Sequence, residues 1–83
     1  MGVYRYRQEV LTELLNHGVR PTDRTPPSLV MSFLSDLYRF EIRRLRDRLL
    51  RGEIPKPHYA SHVIELRKRY PLLSLNIRFW TQP

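Results

Sequence analysis

Between Pro26 and Gly52 the chain carries one unbroken helical signal, and that stretch constrains everything around it. Val30, Leu34, Leu37, Tyr38, Ile42, Leu45 and Leu49 fall mostly three or four residues apart, the spacing that aligns side chains along one stripe of an α-helix. Thr25 reads as its N-cap and Pro26 as its first residue, with Ser28 an alternative cap one turn in. Gly52 supplies the left-handed stop. A helix of about 24 residues within 26–51 spans roughly 36 Å at 1.5 Å per residue. Phe33 and Phe40 lie off the main stripe, which predicts contacts on more than one side of this helix.

Two shorter helices flank it. Val10, Leu11, Leu14 and Leu15 mark helix one over about 4–17, with Gly18 as its stop and His17 expected to cap its end. Arg5 and Arg7 sit at its start, where the macrodipole disfavours cations. Pro21, Pro26 and Pro27, with Thr22, Asp23 and Thr25, make the following stretch a loop. After the turn from Glu53 to Pro57, the residues Tyr59, Val63, Leu66 and Tyr70 form the expected buried stripe of helix three, about 57–70, with Ile64 beside it and Pro71 closing it. The short connection predicts an antiparallel helix two/helix three hairpin. The fold class is therefore all-α: a single small three-helix domain over 1–83 with a long central helix and a C-terminal arm.

That arm, residues 72–82, changes period. Leu73, Leu75, Ile77 and Phe79 alternate with Ser74, Asn76 and Arg78, the pattern of an extended segment with one apolar face. Phe79 joins the apolar row and docks on the domain, while Trp80 points the other way, toward a partner. An extended segment requires a ladder partner and a cover, so the arm docks in cis or in trans. In the cis alternative, Val3 to Arg7 pairs with it as a two-stranded ribbon.

With 83 residues of which 41% are hydrophobic, the chain has material for one marginal core, and association with itself or within a larger complex is expected to assist it. There is no cysteine, which excludes disulfides and thiolate metal sites. No run approaches the ~18 apolar residues of a membrane span. The first residues lack the apolar stretch of a signal peptide, and Tyr6 stands where a myristoylation motif wants Ser or Thr, so a cytoplasmic location is expected.

Fifteen Lys and Arg against eight Asp and Glu give a net charge of +7, which attracts acidic partners of any class. Arg39, Arg43, Arg44, Arg46, Arg48 and Arg51 on the long helix have two readings. They are a phosphate-gripping stripe, or a solvated face paired internally, with Glu41 three before Arg44 and Asp47 four from both Arg43 and Arg51. Arg67, Lys68 and Arg69 suit a helix C-terminus electrostatically and would extend an anion site, with Tyr70 and Trp80 as stacking surfaces. His58, His62 and Glu65 share a helical face at weak metal-ligand spacing, without the glutamate of an HExxH motif. No nucleophile motif or phosphate-cradling loop is present, so no cofactor or small-molecule substrate is expected. The sequence points to a non-enzymatic helical protein–protein interaction module, self-associating or a small subunit of a complex. The alternative is a basic nucleic-acid-binding protein using the Arg-rich helix.

Overall fold

The computed structural model describes residues 2–83 and is all-α, with α1 Gln8–Leu15, α2 Pro27–Leu50 and α3 Lys56–Lys68 followed by two 3₁₀ turns, Pro71–Ser74 and Ile77–Phe79. The 24-residue α2 is the spine. It gives the molecule extents of 50 × 18 × 16 Å and a radius of gyration of 15.3 Å, against about 12 Å for a compact chain of this length.

Both glycine stops operate as expected. Gly18 (φ 73°) and Gly52 (φ 77°) adopt left-handed backbone. After α1, the Gly18 N–H bonds the Leu15 carbonyl and the Val19 N–H bonds that of Leu14; after α2, Gly52 bonds Leu49 and Glu53 bonds Arg48. This is the Schellman pattern, and it satisfies carbonyls that a helix end otherwise orphans.

The helix starts differ from the sequence expectation. Pro26 is not the first helical residue but the N-cap, extended at φ −63° and ψ 133°, because a residue followed by proline is pushed out of the α region. Thr25 makes no cap bond. Its hydroxyl accepts the Thr22 N–H at 3.0 Å, and its carbonyl accepts the Tyr6 hydroxyl at 2.5 Å. Pro55 plays the same part before α3, extended at ψ 138°.

Two small cores lie along one side of α2. The first joins Tyr6, Val10 and Leu14 to Val30 and Leu34 of the N-terminal half of α2, and is closed by Leu72 and Trp80. The second joins Leu45 of the C-terminal half to Ile54, Leu66 and Tyr70, with Leu37, Tyr38, Ile42, Tyr59 and Val63 packed around it. Leu73 touches both cores. Leu45 and Leu66 share this core, and Glu41 receives the hydroxyl of Tyr70, two residues past the end of α3.

Helix one is shorter than expected because Tyr4 to Arg7 is extended rather than helical. Its N–H groups go elsewhere: Tyr4 to the Asp23 carbonyl at 2.7 Å, and Arg7 to that of Trp80 at 2.9 Å. The Gln82 N–H returns to the Arg5 carbonyl at 2.8 Å. A single antiparallel bridge, Tyr6 to Thr81, thus joins the two termini, a reduced form of the cis ribbon.

The continuous extended arm is not formed. Leu72 to Gln82 folds as two 3₁₀ turns, the second capped by Asn76, whose side chain accepts the Arg78 N–H at 3.0 Å. The assignment of Phe79 and Trp80 is reversed with it. Trp80 is fully buried at 0% exposure and Phe79 is 43% exposed. Of the alternating row, Leu73 and Ile77 pack on the first core while Leu75 is 37% exposed.

Candidate functional site

An aligned set of exposed apolar residues lies on α2, on the side away from both cores. Leu29, Phe33, Asp36, Phe40, Arg43, Asp47 and Leu50 are all exposed. They step four, three, four, three, four and three residues along the helix, which places them on one seam of the kind that mates in coiled coils. Leu29, Phe33 and Phe40 are 63%, 52% and 54% exposed and Leu50 is 75% exposed. Phe33 and Phe40 were expected to meet neighbours, and within this chain they meet no packed core. Isolated surface hydrophobes are ordinary; here two phenylalanines and Leu29 are aligned on one helix. Sequence reasoning noticed the two phenylalanines but missed Leu29, Asp36 and Leu50, and the alternating steps of four and three were the signal available.

The arginines of α2 do not form one stripe. Arg39 and Arg46 lie on one flank of the seam, Arg43 lies within it, and Arg44, Arg48 and the C-cap Arg51 follow at steps of four and three on the other flank. The second flank borders the groove between α2 and α3, with Arg69, His62 and Glu65 across it. None of the expected internal pairs, Glu41 with Arg44 and Asp47 with Arg43 or Arg51, is made among the described residues, and other pairs form instead. Arg39 meets Asp36 at 3.5 Å, and Glu53 meets Arg51 at 2.7 Å and Arg48 at 3.5 Å. The Arg51 hydrogen bond, with the charges of Arg51 and Arg48, holds the Glu53 carboxyl below its usual range. Glu41 does not pair with Arg44, because it accepts the hydroxyl of Tyr70, while Arg44 lies over the Phe40 ring at 5.9 Å. Among the described residues Arg43, Arg44, Arg46, Arg67 and Arg69 form no ion pair, whereas Lys68 reaches Glu65 at 3.3 Å.

Where α1 and α3 end, they meet over the middle of α2. The His17 ring stacks on Tyr70 with centroids 4.4 Å apart, and its Nε2 bonds the Arg69 carbonyl at 2.8 Å. His17 therefore ties two helix ends together instead of capping its own. Tyr38 meets Tyr70 edge-on at 5.2 Å. Burial, and then the bond to Glu41, push the Tyr70 phenol well above its ordinary value. Tyr70 is 3% exposed and is a core residue, so it offers no face for a base to stack on. The same holds for Trp80.

His58 and His62 are exposed. Glu65 is engaged by Lys68, and among the described residues no group of three His, Cys, Asp or Glu is arranged to hold a metal ion. The weak metal spacing of His58, His62 and Glu65 is thus not realised as a site. No helix of the described residues is long and apolar enough to cross a membrane. No protein-family model, curated protein or solved structure matches the chain.

Proposed function

We propose that the protein is a non-enzymatic helical interaction module whose docking surface is the uncovered seam of α2. The observation that carries this reading is the alignment of Leu29, Phe33 and Phe40, each more than half exposed, on the side of a rigid 24-residue helix opposite its own cores. Rigid aromatic side chains lose little conformational freedom when covered and dominate many interfaces. The helix that presents them is braced along its other side by α1, the C-terminal turns and α3, so the seam is preorganised. A small domain with two thin cores also gains apparent stability from any partner that binds its folded state.

The test is affinity capture from native extract by the wild-type chain and by a Phe33→Glu/Phe40→Glu variant whose fold is verified by circular dichroism. A partner, including the chain itself, that is retained by the wild type and lost by the variant supports the reading. Identical capture by both, or capture of nothing above background, rejects it.

The second reading, nucleic-acid binding, is favoured by the five arginines of α2, α3 and its C-cap that form no ion pair among the described residues. The division of the α2 arginines between two flanks and the seam weakens it, since one groove or backbone track meets only one flank at a time. Titration against duplex DNA and structured RNA decides it: affinity falls linearly with salt on logarithmic axes if phosphates are neutralised, and no binding at low salt removes the reading.

A further inference from the structure

We infer that the occupant of the α2 seam is a second copy of the chain, lying antiparallel, with Phe40 at the two-fold axis. This rests on the interaction-module reading and names its partner.

The argument is the order of chemistry along the seam. In chain order it runs Leu29, Phe33, Asp36, Phe40, Arg43, Asp47, Leu50, all of it exposed. A two-fold axis at Phe40 sets Leu29 against Leu50 of the second copy, Asp36 against Arg43, and Phe40 against itself. The first two matches are each made twice by symmetry, and the Phe40 contact lies once on the axis, as an isologous interface requires. Only Phe33 against Asp47 is chemically mismatched.

A parallel pair has no such complementarity. It stacks Asp36 on Asp36, Arg43 on Arg43 and Asp47 on Asp47, and it sets the basic halves side by side. The C-terminal half of α2, Arg39 to Leu50, holds five arginines against Glu41 and Asp47, while the half from Pro27 to Tyr38 holds Asp36 as its one charge. Antiparallel pairing brings each basic half to a nearly neutral one carrying an acid, which relieves the repulsion that a net charge of +7 otherwise imposes on self-association. Among the described residues nothing else obstructs the contact, because both cores and their covering helices lie on the other side of α2.

Sedimentation velocity on the purified wild-type chain over a concentration series is the test. A reversible monomer–dimer equilibrium is expected. Phe40→Glu, which sets two carboxylates on the axis, raises the dissociation constant at least ~10-fold. Asp36→Arg raises it as well, and adding Arg43→Asp in the same chain restores it, since the swap rebuilds the cross-pair. Because the chain has no cysteine, Ser28→Cys carries a single spin label. With labels 12 residues from the axis on each copy, their separation along the helix is roughly 36 Å if antiparallel and about 10 Å if parallel. A monomer at all concentrations up to about 1 mM, a dimer indifferent to Phe40→Glu, or labels near 10 Å overturns the inference. A strict monomer overturns only the identity of the partner, since capture through Phe33 and Phe40 decides the module reading independently.

Discussion

Replacing Trp80 by alanine perturbs this fold more than any other change in the C-terminal segment. The indole is fully buried and closes the core made by Tyr6, Val10, Leu14, Val30, Leu34 and Leu72. An aromatic of this size buries about 150–250 Å², worth roughly 4–6 kcal/mol at ~25 cal/mol per Å², an upper figure because unfolded chains already cover part of it. Measured Trp→Ala costs of ~3–5 kcal/mol include the cavity left behind. A chain of this length has a total stability of about 4–12 kcal/mol, so Trp80→Ala removes a large share of it. Phe79→Ala, at a side chain 43% exposed, costs about 1 kcal/mol or less. Urea unfolding followed by circular dichroism, with Phe79→Ala alongside, reads both. The Trp80 Nε1–H has no partner among the described residues, so Trp80→Phe loses packing but relieves an unpaired donor otherwise costing about 1–3 kcal/mol, and is expected to be far milder than Trp80→Ala. Equal costs for Trp80→Ala and Phe79→Ala, or a cost below about 1 kcal/mol for the former, refute the placement of the indole.

Three further outcomes are expected. Gly52→Ala, at φ 77° with open space around the added Cβ, costs about 1–2 kcal/mol from backbone strain alone, measured as a shift in urea midpoint; no shift would mean that the stop is not left-handed. Tyr70 and Tyr6 both have phenol values raised mainly by burial, Tyr70 also by Glu41 and Tyr6 by Tyr4. A raised folded value means their stabilisation is complete below the ordinary tyrosine value near 10 and is lost as pH rises beyond it, so melting temperature falls above about pH 10 and Tyr70→Phe flattens that fall. Tyr70→Phe with an unchanged alkaline slope contradicts the burial assignment. His17→Ala removes the stack on Tyr70 and the bond to Arg69, and is expected to speed amide exchange at the ends of α1 and α3 while leaving the middle of α2 protected; uniform exchange throughout would show that the joint is not local.

The helices were legible where punctuation is local. Gly18 and Gly52 declare left-handed stops, and the proline pairs bound α2 and α3 to within a residue or two. What misled was chemistry with two readings. Leu73, Leu75, Ile77 and Phe79 alternate like a strand, yet Ile77 and Trp80 are also three apart, the spacing that eclipses side chains in a 3₁₀ turn, and Pro71 and Asn76 start such turns. Seven residues of alternation do not discriminate, and the first core, which needs a large plug between α1 and α2, takes Trp80. The pairing of Glu41 with Arg44 was a local inference overridden by a residue 29 positions away, Tyr70. The α2 seam was half visible, since Phe33 and Phe40 stood off the core stripe, but only the structure shows that no other element of the described residues covers them.

Hydroxyl-radical footprinting of Phe33 and Phe40, in dilute purified protein and in native extract, tests the central claim most directly. Both rings are expected to be labelled readily when the chain is alone, as their exposures of 52% and 54% require, and protected several-fold in extract, with the buried Trp80 unreactive in both. Equal labelling of Phe33 and Phe40 in the two conditions would show that the seam stays bare, and would contradict its role as a docking surface.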